Sequence, residues 1–180
     1  MLKIISLLLP LVAIAALLIV RRVRRFPPDM LGLAWPRPLV FVGWLAIWIV
    51  WMAISELVGD RLGVEPPKPW HYSAGMTLLR IAMIGIAGPI AEELAYRGAM
   101  LYALRVRAGL PPVVAFVIIS IVWSVSHLQY DVTTLGMIFL DGLILGAARV
   151  QSRSTLTSGA MHVMGNLFSI YQSLRGTFGL

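Results

Sequence analysis

The chain contains no cysteine. Disulfides, thiolate nucleophiles and cysteine-based metal sites are therefore excluded together, and the redox compartment is left open. Charge is nearly as scarce. Charged residues make up 13% of the 180 positions, and 8 acids face 15 basic residues. With 59% hydrophobic residues and a mean hydropathy of +0.85, the chain lacks the polar surface that a water-soluble domain needs, so it reads as an integral membrane protein. A formal charge of +7 would raise nucleic acid as a partner for a soluble protein. Here the arginines flank apolar runs, which is a topology signal instead, and no nucleic-acid partner is expected. Internal repeats and low-complexity segments are lacking as well.

What is present is a series of apolar runs. Residues 4–20 are interrupted only by Ser6 and Pro10 and stop at Arg21, Arg22, Arg24 and Arg25. A single Lys3 before the run and four arginines after it reverse the order of a secretory signal, so the run reads as a transmembrane helix. Further spans are expected at 39–58, 73–104 with Ser73 as N-cap, 113–128, 132–150 and 155–171. Proline-rich connections at 26–38 and 59–72 separate the first three, with a short interfacial piece expected at 30–33. Trp44, Trp48 and Trp51 share one face of the second helix and read as lipid or packing contacts; Glu56 reads as interfacial and His71 as solvated.

The expected fold is an all-α, polytopic transmembrane helical bundle of about six spans. It divides into an N-terminal transmembrane helix with a basic cytoplasmic linker (1–38), a second transmembrane helix and loop (39–72), and a helical core that carries the chemistry (73–175). If Arg21 to Arg25 are cytoplasmic, so are Arg37, Arg105, Arg107, Arg149 and Arg153. The other side then receives only Lys3, Arg61, Lys68, Arg80 and Arg175, the bias expected of a membrane protein.

The chain is organised around residues 88–98, Gly-Pro-Ile-Ala-Glu-Glu-Leu-Ala-Tyr-Arg-Gly. Each charged group at mid-membrane costs about 2.5–3.5 kcal/mol on insertion scales. Glu93 and Arg97 are i,i+4 neighbours in the acid-first order, and a structural ion pair explains them. Glu92 has no basic partner. Its i+4 neighbour Tyr96 can donate one hydrogen bond but cannot neutralise a charge, so the functional reading is favoured for Glu92.

Counted from the cytoplasmic helix ends at about 1.5 Å per residue, Glu92 lies about 20 Å in, His127 about 22 Å, His162 about 12 Å and Asn166 about 18 Å. Four polar groups from three helices thus share one layer. His162 and Asn166 are i,i+4 and point the same way, and Trp123 is placed to wall His127. A carboxylate and an imidazole facing one water molecule make a general base, and an imidazole with an amide can donate to a developing oxyanion. Together these are the parts for hydrolysing an amide bond without a covalent intermediate. Asp141 either hydrogen-bonds a site histidine or caps a neighbouring helix.

Glu92-Glu93-x-x-x-Arg97, Trp123-x-x-x-His127 and His162-x-x-x-Asn166 resemble the three motifs of the CAAX protease and bacteriocin-processing family, which includes the Ras-converting prenyl-protein endopeptidases and bacterial ABI-type membrane proteins. The resemblance covers residues 76–171. It implies an intramembrane endopeptidase in which Glu92 activates water with His127, His162 and Asn166 form the oxyanion site, and Glu93 and Arg97 orient it. The substrate is expected to be a membrane-embedded or lipidated protein or peptide, and the location a bacterial plasma membrane. The chain departs from the family in having Trp123 where phenylalanine is usual, and in placing only two helices before the motif core where members often have more.

A zinc-dependent version would use Glu92, His127 and His162 as three ligands with water in the fourth position. No His-Glu-x-x-His helix exists, and no cofactor is the preferred expectation. Outside catalysis, a buried acid with two histidines suits a proton-coupled transporter or a membrane scaffold for maturation or immunity. The lack of an inverted repeat counts against transport, and an uncompensated Glu92 against a scaffold.

Overall fold

A computed structural model describes residues 7–178; Lys3 and residues 4–6 of the first expected span lie outside it. Among the described residues the chain forms six helices and no strand: α1 (Leu9–Val23), α2 (Pro38–Leu62), α3 (Ala74–Arg107), α4 (Pro112–Val125), α5 (Val132–Ser152) and α6 (Thr155–Phe178). The expected all-α polytopic bundle is therefore the observed class. By length and composition α2, α3 and α5 can each cross a membrane, whereas α4 is apolar but shorter. Its 14 residues rise about 21 Å, less than a hydrocarbon core of about 30 Å.

The elements start and stop for local reasons. Proline opens α2 and α4 at the first helical position, where its missing N–H is not needed. Asp131 caps α5 by accepting from the N–H groups of Thr133 and Thr134 at 2.9 and 3.1 Å and from the Thr134 hydroxyl at 2.6 Å. Those hydrogen bonds, the Thr134 hydroxyl foremost, hold the Asp131 carboxyl below the usual carboxylate range. Ser73 stands at the N-cap of α3 as expected, although its side chain makes no capping bond.

Small residues let the helices approach. A side chain at Gly142 would come within 2.9 Å of the Ser120 Cβ, and one at Gly146 within 2.7 Å of the Phe116 Cβ, so α5 lies directly against α4. An added methyl at Gly146 would force a shift costing ~1–3 kcal/mol. Gly85 does the same for α3 against Leu167 and Ile170 of α6. The largest apolar cluster, Trp48, Trp123, Leu145, Ala148 and Met161, joins α2, α4, α5 and α6. Trp44 and Trp51 pack against it, so the three tryptophans of α2 are indeed packing residues.

The connection after α1 departs from expectation. Instead of lying at the interface, Leu31 is fully buried, packed over Gly98 of α3. Its carbonyl accepts from the Thr155 hydroxyl at 2.6 Å, and the Gly32 carbonyl accepts from the Thr155 N–H at 2.7 Å. The first turn of α6 has N–H and hydroxyl donors without intrahelical partners, and the connection supplies the acceptors.

Candidate active site

Helix α3 is not regular. Its turns at Ile81–Ala87, Leu94–Met100 and Ala103–Arg107 are widened to the π-helical repeat, leaving ordinary α-helix over Gly88–Glu93 between the first two. Each widened turn inserts a residue and re-aims the side chains that follow, a feature frequent at functional sites. The carbonyl of Arg97, inside the second widened turn, accepts from Nε of Arg149 at 3.1 Å. Arg149, read from sequence only as a topology marker, therefore braces α3 from α5.

The adjacent carboxylates meet different helices. Glu93 is 1% exposed, and its Oε1 accepts from Nη1 of Arg97 at 2.9 Å and lies 3.2 Å from Nδ1 of His162 on α6. Arg97 is also 1% exposed, with its guanidinium carbon 4.5 Å from the centre of the Trp123 ring. Its charge is thus balanced by a carboxylate on one side and by an aromatic face on the other. The expected Glu93–Arg97 pair is present, with His162 as a third member that helical spacing alone does not disclose.

Glu92 turns toward α4. Its Oε2 accepts from the indole Nε1 of Trp123 at 2.6 Å, a short charge-assisted hydrogen bond. The partner that Glu92 lacks within its own helix is therefore tryptophan N–H, not the Tyr96 hydroxyl; Tyr96 packs among apolar side chains instead. The Trp123 ring also stands edge-on to both histidines, 5.3 Å from His127 and 5.2 Å from His162 between centroids. One side chain thus touches Glu92, Arg97, His127 and His162.

His127 is not inside α4, as expected from the apolar run, but on the turn after it. Helix α4 ends at Val125 because the Trp123 carbonyl is taken by side chains: the Ser126 hydroxyl donates to it at 2.6 Å and His127 Nδ1 lies 2.8 Å away. The His127 N–H then bonds the Ser124 carbonyl at 2.9 Å, a tighter turn that closes the helix. A carbonyl can only accept, so it places the proton of a neutral His127 on Nδ1 and leaves Nε2 as the basic nitrogen. Among the described residues Nε2 of His127, Nε2 of His162 and Oε1 of Glu92 have no hydrogen-bond partner.

Asp141 and Asn166 are each held by another helix. Asp141 accepts from Trp51 Nε1 at 2.5 Å, so it ties α5 to α2 and neither bonds a histidine nor caps a helix. The buried acid was legible, but its partner on a distant helix was not. Asn166 shares the face of His162, and its Nδ2 donates to the Ile84 carbonyl at 3.0 Å in the first widened turn of α3. Among the described residues no three His, Asp or Glu side chains gather as a metal site. Beside the polar cluster an apolar cleft of about 350 Å³ opens between α3 and α6, lined by Leu33, Ile86, Ile90, Leu156 and Val163, with Glu93 at its wall.

Comparison with known proteins bears on this arrangement. A family model described as type II CAAX prenyl endopeptidase Rce1-like matches residues 74–168, which is more than half of the chain and contains all three motifs. An uncharacterized 24.3 kDa protein of Escherichia coli is 30% identical over 146 residues, covering 72% of this chain and 66% of its own length. The present chain thus spans a little under two thirds of that relative. No solved structure matches significantly.

Proposed function

Because the chain belongs to the Rce1-like family of type II CAAX prenyl endopeptidases, we propose that it is an intramembrane endopeptidase acting on a membrane-embedded or lipidated protein or peptide. Oε1 of Glu92 and Nε2 of His127 hold and deprotonate a water molecule that attacks the scissile carbonyl. His162 and Asn166 face the oxygen on which negative charge develops. His162 presents Nε2 to that oxygen, and its Nδ1 lies 3.2 Å from Oε1 of Glu93, which fixes the ring. Asn166 leaves the Ile84 carbonyl to join it. The proton taken from water then passes to the leaving amine.

The observation that carries the reading is the convergence on Trp123. Three motifs far apart in sequence meet one side chain, which bonds Glu92 at 2.6 Å and contacts both imidazoles. A second observation concerns water. Non-helical backbone at membrane depth is tolerated where it lines a wet cavity, and α4 ends after about 21 Å with His127 on its terminal turn. The apolar cleft beside Glu93 suits the hydrocarbon part of the substrate. The arginine distribution favours cytoplasmic Arg-rich loops, and the Escherichia coli relative favours a bacterial plasma membrane.

The test compares new protein N-termini in membranes of cells expressing the native chain or Glu92→Gln at equal levels. Fragments unique to the native chain name the substrate, and their persistence in a chelator supports water activated by Glu92 without zinc. Identical profiles from folded proteins would overturn the hydrolase reading and leave a membrane scaffold.

A further inference from the structure

The charges at the end of α1 take no part in the site above. Arg21, Arg22, Arg24 and Arg25 occupy four of five consecutive positions, and Arg25 adopts a left-handed conformation at φ +50°. That residue reverses the chain, so the Phe26 N–H bonds the Arg21 carbonyl at 3.0 Å and the chain folds back over the last turn of the helix. The result is a second cavity of about 400 Å³ lined by Leu18, Arg21, Arg22, Arg25 and Phe26. A further cation is drawn in from α3: the Arg107 guanidinium lies 5.2 Å from the centre of the Phe26 ring. Among the described residues no carboxylate pairs with Arg22, Arg25 or Arg107, and Asp29, the nearest acid along the chain, pairs with none of them. Exposed guanidinium groups gathered around one cavity suit an anion, and they match phosphate in geometry.

The surroundings indicate what carries that anion. The outer face of α1 is apolar and exposed, with Leu9, Val12 and Ile19 each 60–62% accessible, and it leads to the cavity past Leu18. Hydrocarbon lying along α1 would bring its own headgroup to the arginines. We propose that the end of α1 and the turn after it form a binding site for the headgroup of an anionic phospholipid. Arg22 and Arg25 engage the phosphate, while Leu18 and Phe26 contact the first carbons of the chains. A free phosphate shares the first part of this chemistry but not the second.

The full chain, purified in a neutral detergent, would be examined by native mass spectrometry and thermal unfolding with phosphatidylglycerol, phosphatidylcholine or inorganic phosphate. Phosphatidylglycerol is expected to remain bound and to raise the melting temperature, and phosphatidylcholine to do neither. Arg22→Gln with Arg25→Gln should bind phosphatidylglycerol about 30-fold more weakly, whereas Arg37→Gln with Arg153→Gln, which removes equal charge outside the cavity, should bind as the native chain does. Equal weakening in both pairs would overturn the site in favour of diffuse attraction. A full melting shift from inorganic phosphate alone would overturn the lipid. Should the first pair fail to fold, Arg22→Lys with Arg25→Lys keeps the charge but loses the guanidinium fork, and native-like binding by that pair would equally refute it. None of these outcomes depends on peptidase activity.

Discussion

Replacing Trp123 by phenylalanine tests the arrangement of the site most directly, because it keeps an aromatic ring at the hub and deletes one N–H. The lost bond is the 2.6 Å donation to Oε2 of Glu92. Hydrogen bonds to a charged group contribute ~1.5–3 kcal/mol, and each 1.36 kcal/mol is tenfold in rate, so kcat should fall by about 10- to 160-fold if that bond aims the carboxylate at water. KM should change little, since the apolar cleft that would hold the substrate contains no part of Trp123. The assay is initial rates in reconstituted vesicles on a peptide spanning the cleavage site found by the N-terminal comparison, with melting temperature as a control for folding. A folded Trp123→Phe protein with native kcat would refute the reasoning and show that Glu92 is oriented by something other than the indole.

Two further outcomes follow from buried and exposed charge. Glu93→Gln leaves the Arg97 guanidinium buried without its counter-charge, and His162 without its carboxylate, so it should destabilise the fold by ~3–5 kcal/mol; thermal unfolding in detergent checks this, and a shift within error of native would mean that the pair contributes no net stability. At the mouth of α5, the Asp131 carboxyl is held below its ordinary value, so its cap is fully present above the unfolded carboxylate range near pH 4 and is lost as pH falls through the lowered folded value. Amide exchange at Thr133 and Thr134 should therefore rise at acid pH relative to Asp131→Asn, whose cap carries no titrating proton; equal exchange in the two proteins would exclude this role.

Much of the bundle was legible because hydropathy acts residue by residue. Runs of apolar side chains with proline and arginine at their ends predicted helices at nearly the observed positions. Misreadings came where a side chain competed with the helix or reached across it. The apolar neighbours of residue 127 predict helix there, yet Ser126 and His127 claim the Trp123 carbonyl and end α4. A short apolar piece in a proline-rich connection gives no sign of its partner, yet Gly98 leaves a hollow that Leu31 fills. The bond from Trp51 to Asp141 spans 90 positions, beyond any periodic pattern.

By itself the sequence determined that the chain lives in a membrane, that it is helical, and that Glu92, Glu93, Arg97, His127, His162 and Asn166 are the polar groups whose burial needs explanation. Composition and i,i+4 spacing suffice for this, since a charge in hydrocarbon is costly until something pairs with it. Which group meets which was decided only by tertiary structure. Adjacent places on a helix point about 100° apart, which sends Glu92 to α4 and Glu93 to α6, and the packing of α4 against α5 sets Trp123 among them. Contacts between helices depend on rotation and depth to within an ångström, and both arise from glycine gaps, inserted residues and interlocked side chains acting together.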